Sequence, residues 1–354
     1  MNERIDALDH FRSLQSDLDR AVAQRMEPVR KAYVTGERDA QLGKAIDRLV
    51  LGLANLKPHK PGAQPQESRV LAVVGEAGAG KTTAMLRCLE RHPAFPGHGT
   101  PEGCDYILSL EVQAPATLAR LGRSILERLG NPHAYAYKGA EAVWTAVKLA
   151  IRSLGVRVLH FDEFHVVLTE SNSIELNKIR ATCWGLVNDR QYPVALILSG
   201  TPQLLDALKD PTSQLLRRKD VVTFPSLETQ ADVRKVNETV KFLAGKAKIA
   251  IDDNVERIED RLMHACAMQL GRVIEMTTMA IEGCLYARSE VLRIEHFAAV
   301  YARATGNSDE HNTFLVKKWA LTSCADLALG AFPGPSSTAT SNAHMRKRKD
   351  FGDE

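Results

Sequence analysis

Hydrophobic positions along the chain change their period twice. Through the first 56 residues they recur every three or four places, at Leu8, Phe11, Leu18 and Val22 and again at Leu42, Ile46, Leu49, Leu53 and Leu56. That spacing predicts two helices, each with one apolar face. From residue 69 the pattern becomes short, nearly continuous apolar runs separated by helical spacings, at 69–75, 105–112, 156–163, 194–200 and 220–224. Strands that are apolar on both faces belong in a parallel sheet covered by crossover helices, so an α/β core with a parallel five-stranded sheet is expected over 69–225. After Pro225 the helical period returns, at Val233, Val236, Val240 and Leu243, at Val255, Ile258 and Leu262, at Ile274, Ile281 and Leu285, and at Ile294, Phe297, Ala298 and Tyr301. A small all-helical lid domain without further strands is predicted there, over 226–305.

Polar stretches separate these units. Residues 57–68 contain three prolines and a glycine and read as a loop that closes a helical lead-in of 1–68. Residues 306–354 form a C-terminal extension, and from about Pro333 small polar residues leave too little apolar surface to offset chain entropy, so disorder is expected. The basic run Arg346, Lys347, Arg348 and Lys349 reads as part of a solvated tail.

Charge and cysteine content narrow the partners. Forty-six Lys and Arg against forty-three Asp and Glu leave +3, so any nucleic-acid contact must come from a local patch rather than from a polycationic surface. Six cysteines without a CxxC spacing read as reduced thiols, not as a disulfide framework or zinc knuckle. The first residues carry charges where a signal peptide needs an apolar core, and no apolar run approaches a membrane span, so a soluble, cytoplasmic protein with no membrane partner is expected.

The candidate chemistry begins at Gly75-Glu76-Ala77-Gly78-Ala79-Gly80-Lys81-Thr82, which matches GxxxxGK[ST] after a predicted strand and before a predicted helix. This is a P-loop. Its glycines let backbone N–H groups turn inward around a phosphate, Lys81 reaches the β- and γ-phosphates, and Thr82 offers a hydroxyl to Mg²⁺; Thr83 continues the cradle. ATP and Mg²⁺ are the expected ligands. The run 156–161 ends in Asp162 and Glu163, at the strand edge where ligands bind in such sheets. Asp162 suits the metal, and Glu163 suits polarising a water. The run 194–200 ends at Thr201, a candidate for touching the γ-phosphate and the lytic water, with Ser199 as the alternative. Thr201-Pro202 also reads as a helix N-cap with proline at the first helical position. His160 and His165, beside the acidic pair, have no ligand spacing for a metal and read as strand-end packing residues.

With these residues in place the chain resembles the AAA+ ATPases of DNA transposition, of the TniB, TnsC and MuB kind, and TniB proteins in overall layout. The resemblance spans roughly 33–303 and rests on GEAGAGKT, the segment EVQAPATLARLGRSILERLGNP, HFDEFH, LILSGTPQLLDAL and QLLRRKDVVTF. It implies a homo-oligomer, ring or filament, that assembles on duplex DNA without sequence preference. It further implies recruitment of a transposase, with a target-selection protein as a further partner, and disassembly on ATP hydrolysis. It also implies an arginine finger for the neighbouring subunit, at Arg218 or Arg217, and a nucleotide-sensing arginine at Arg272. Lys219 stands where the family has phenylalanine, which leaves the register of the finger open between those two arginines. Two other classes remain beside this one: a P-loop switch that controls a protein partner without DNA, and a replication-initiation or helicase-loading ATPase.

Overall fold

The computed structural model describes residues 7–56, 69–100, 103, 106–208, 219–252 and 258–322. Helices α1 (Ala7–Ser13), α2 (Asp17–Arg30) and α3 (Glu37–Ala54) precede the sheet. Its strands are β1 (Val70–Gly75), β2 (Ile107–Glu111), β3 (Val158–Asp162), β4 (Ala195–Gly200) and β5 (Lys219–Phe224). Between them run α4 (Lys81–Arg91), α5 (Leu118–Arg128), α6 (Gly139–Leu154), α7 (Val166–Glu170), α8 (Ser173–Val187) and α9 (Gln203–Leu208). All five strands are parallel, in the order β2-β3-β4-β1-β5.

Both faces of the sheet are covered, as its unbroken apolar strands require. One face packs on α5, α6 and α8 through Leu121, Ile125, Val147, Ile151, Ile179 and Leu186. The other packs on α3 and α4 through Leu42, Ile46, Leu49, Ala84, Met85 and Leu89. Polar caps set where these helices begin: Thr117 accepts from the Arg120 amide and Asn172 from the Glu175 amide, each satisfying a donor the first turn cannot.

Past the sheet lie α10 (Gln230–Lys246), β6 (Ala250–Ile251), α11 (Ile258–Ala265), α12 (Leu270–Tyr286), β7 (Val291–Leu292) and α13 (Ile294–Thr305). Their core contains Val236, Val240, Leu262, Val273, Ile281, Phe297 and Tyr301, and it also takes in Val22, Met26 and Val29 of α2. The opening segment therefore divides, α2 packing with the helical region and α3 with the sheet. The first apolar stripe breaks into two helices, and Leu8 and Phe11 of α1 stay 58% and 61% exposed. Spacing predicts a helical face but not whether another surface meets it. The parallel pair β6 and β7 corrects the expectation that strands end at Pro225. Two residues each are too few to display a period of two.

Candidate functional site

The P-loop joins the carboxyl end of β1 to the amino end of α4. Gly78 and Gly80 have φ of 83° and 89°, where a side chain is strained, and they turn successive amides into the concave arrangement that binds anions. Gly75 is needed for another reason, since a Cβ there would stand 2.8 Å from both Cβ and the carbonyl oxygen of Phe224 on β5. The loop's carbonyls are engaged from three directions. Lys81 Nζ donates to Gly75 O at 2.9 Å and Glu76 O at 3.1 Å, Arg38 of α3 donates to Ala79 O at 2.8 Å, and the Arg272 amide of α12 donates to Gly78 O at 3.2 Å. Lys81 is 4% exposed, and burial lowers its pKa against the opposing pull of Glu163, Asp162 and Glu76. Ala79 is buried, whereas Glu76, Ala77, Thr82 and Thr83 are exposed along the mouth of the loop.

Asp162 ends β3, and Thr82 donates to its Oδ2 at 2.6 Å. Sequence-distant residues with the donor types for a divalent cation thus meet at one sheet edge. A hydroxyl and a carboxylate are the hard oxygen donors that Mg²⁺ takes, so the residues present fit that ion. Glu163 follows with φ of 52°, and its amide donates to Asp162 Oδ1 at 3.0 Å. Its Oε2 lies 3.0 Å from Nδ1 of His165, close in distance and oblique in angle.

Under this edge, His160 on β3 bonds Ser199 Oγ on β4 at 2.7 Å and faces Ser109 Oγ on β2 at 3.3 Å. Burial drives its pKa down to about 4, with His98 adding to the fall and Asp162 opposing it. His160 is thus a hydrogen-bonded core residue within the sheet, and Ser199 is engaged by it rather than turned to the loop. Thr201 Oγ1 is buried and makes no hydrogen bond among the described residues, so the N-cap bond expected of it is not formed.

Arg272 is 7% exposed and lies over the loop: a Cβ at Gly78 would come within 2.5 Å of its Nε. Burial raises the pKa of Glu275, one turn on, while Arg272 pulls it down. The turn leading into α12 holds Ala267 and Met268 at φ of 49° and 60°, two consecutive left-handed residues that bring Gly271 against the loop. Arg217 and Arg218 lie outside the described residues. Lys219, next in the chain, pairs with Val70, at the end of β1 away from the P-loop.

Sequence reasoning missed Arg38. Its guanidinium reaches Ala79 O, lies 5.1 Å from the centre of the Phe224 ring, and is held below its ordinary pKa by burial. In the sequence it is one polar residue on an amphipathic helix far from the P-loop, so nothing but the fold could single it out. His165 was visible as a neighbour of the acidic pair, but its contact with Glu163 depends on the left-handed turn.

Residues 38–229 match the family model described as bacterial TniB protein. Among solved structures the chain is similar to the Orc1 protein of Aeropyrum pernix, in complex with DNA, at 16% identity and a TM-score of 0.56. That match covers 82% of this chain and 70% of the other. It is similar to Cdc6p from Pyrobaculum aerophilum at 14% identity and a TM-score of 0.53, over 81% and 72% of the two chains. The Aeropyrum pernix ORC2 protein, in ADPNP-ADP complexes, matches at 16% identity and 0.50, over 83% and 74%. At these identities the likeness shows the fold, an AAA+ fold of the Orc1/Cdc6 kind. No curated protein matches the sequence. Among the described residues no helix is long and apolar enough to cross a membrane.

Proposed function

The chain belongs to the TniB family of bacterial proteins, and from that premise we propose that it is an ATP-dependent regulator of DNA transposition. Its subunits load ATP, assemble on duplex DNA, recruit or activate a transposase, and disassemble on hydrolysis. The observation that carries the reading is the meeting of Thr82 with Asp162 at 2.6 Å beside Lys81 and Glu163, in a chain of this family. A P-loop alone binds nucleotide. A P-loop with a metal-suited pair and a carboxylate at the adjoining strand end suits hydrolysis.

Lys81 and the loop amides bind the phosphates, and Arg38 and Arg272 hold the loop's outer side from α3 and α12. Thr82 and Asp162 would hold Mg²⁺, which when bound neutralises charge on the β- and γ-phosphate oxygens. Glu163 accepts the proton of the attacking water. Thr201, whose buried hydroxyl after β4 has no hydrogen-bond partner among the described residues, orients that water or the γ-phosphate. Arg218 or Arg217 completes the site of a neighbouring subunit.

DNA contact draws support from the family resemblance and from the Orc1 neighbour, whose structure is of a complex with DNA. The likeness to Orc1 and Cdc6 bears on the fold and does not move the reading to replication initiation.

The test is duplex binding at two salt concentrations with an ATP analogue, with ADP and without nucleotide. Binding should need the ATP analogue, be cooperative in protein, ignore base sequence, and weaken with salt at a log-log slope of about −0.9 per phosphate neutralised. Glu163→Gln should retain binding and lose turnover. Nucleotide-independent binding, or none, would overturn the role on DNA and favour a switch acting on a protein partner.

A further inference from the structure

The imidazole of His165 bridges two strand ends of the site. Its Nδ1 lies 3.0 Å from Glu163 Oε2, and its backbone packs on Gly200, where a Cβ would stand 3.2 Å from His165 N and 3.3 Å from its Cβ. A side chain at 200 would press on this turn and ask residue 165 to give by a few tenths of an ångström. The turn between β3 and α7 is pinned along its length. Glu163 N donates to Asp162 Oδ1 at 3.0 Å, Phe164 N to Ser199 O at 2.7 Å, and Val166 N to Glu163 O at 3.0 Å. Ser199 is itself tied by its hydroxyl to His160. The left-handed backbone of Glu163 is strained for a residue other than glycine and persists only where surroundings over-determine it.

These bonds fix the backbone of Glu163 but not its carboxylate, which still turns about the side-chain torsions. His165, whose own side chain is 21% exposed and packs beside Gly200, meets the carboxylate at 3.0 Å. We propose that His165 is a positioning residue for Glu163, holding Oε2 from the β4 side so that Oε1 is presented to the attacking water. The oblique contact becomes a directed Nδ1–H to Oε2 hydrogen bond after a modest turn of the ring, as poorly aligned catalytic contacts do when substrate is bound. His165 acts on the reaction through Glu163 alone. Its packing beside Gly200 sets the carboxylate relative to Thr201, the residue after Gly200, whose buried hydroxyl has no hydrogen-bond partner among the described residues.

This role rests on the ATPase reading. The test compares wild type, His165→Ala, His165→Asn, Glu163→Gln and the double variant Glu163→Gln with His165→Ala, in the full chain, with and without duplex DNA. Asparagine places an amide nitrogen where Nδ1 stands. His165→Ala should lower kcat at least about tenfold, the order of effect that misplacing a reacting group produces, with KM and nucleotide affinity within about twofold. His165→Asn should recover most of the rate, and His165→Ala should remove nothing further from Glu163→Gln. Equal losses in the alanine and asparagine variants, a further loss in the double variant, or a wild-type rate in His165→Ala would each overturn the positioning role. Wild-type turnover that Glu163→Gln abolishes, together with an unaffected His165→Ala, would overturn this role and leave the ATPase reading standing. A wild type without turnover would overturn both.

Discussion

Gly271 stands so close to the P-loop that a Cβ on it would lie 2.3 Å from the carbonyl oxygen of Gly78 and 3.0 Å from the amide nitrogen of Gly80. The helical region is thus seated on the loop backbone to backbone, with the next amide, Arg272 N, bonded to the same Gly78 oxygen. Nothing flexible can yield there. Gly271→Ala should force α12 away from the loop, weaken ATP-analogue binding at least about tenfold and lower stability by about 1 to 3 kcal/mol, in the range of overpacking. Titration with a fluorescent ATP analogue and a thermal melt check both. Unchanged affinity would show that seating on the loop is dispensable for nucleotide binding.

His160 makes stability sensitive to acid. Its folded pKa lies near 4, against an ordinary 6.5, because burial disfavours the imidazolium. Between those values the unfolded chain binds the proton and the folded one does not, so stability falls as pH drops from about 6.5 towards 4. At pH 5 the loss relative to pH 7 is of order 2 kcal/mol from this group. Urea midpoints at both pH values should fall more for wild type than for His160→Gln, which keeps polar reach towards Ser199 without the titration. Equal falls would show that other groups carry the acid sensitivity.

Much of this architecture was legible because it depends on local pattern. The five strands lie within two residues of the apolar runs, since a buried parallel strand must be apolar on both faces. The P-loop, Asp162 and Glu163 were legible because the glycines, the lysine and the strand-end acids follow one another in the chain. The division of the first helices between two cores was not, because amphipathic spacing leaves a face's partner unnamed. Arg38 and the seating of Gly271 were hidden for the same reason: each depends on segments far apart in sequence. His160 looked like a packing residue and is one, but its bond to Ser199 depends on β3 and β4 being neighbours.

The Thr82 hydroxyl donates to Asp162 Oδ2 at 2.6 Å, and valine removes it with little change of shape. Thr82→Val should leave nucleotide affinity in EDTA unchanged and abolish most of the increase that Mg²⁺ brings in wild type. Paired titrations with and without the metal measure that ratio. A variant that still gains fully from Mg²⁺ would place the ion on other oxygens.

The sheet register bears on how many subunits build one active site. Lys219 pairs with Val70 and Phe224 with Gly75, so the start of β5 is separated from the P-loop edge by five residues of strand, about 16 Å. Arg218 and Arg217 directly precede that far end in the chain and lie outside the described residues. If either is the finger, it serves a neighbour, through a head-to-tail contact that generates a ring or a filament. Lys81→Ala subunits then lack a working loop but keep a finger, and Arg218→Ala subunits lack the finger but keep the loop. Each should be nearly inactive alone, by the thousandfold or more that such arginines supply to phosphoryl transfer. Mixed in equal amounts they should regain a fraction of the wild-type rate, because some interfaces then pair an intact loop with an intact finger. The same mixture made with Arg217→Ala decides the register, since only the true finger variant is both inactive alone and rescued. If both arginine variants hydrolyse ATP at the wild-type rate and assemble normally with nucleotide, neither residue is a finger and the site is complete within one subunit.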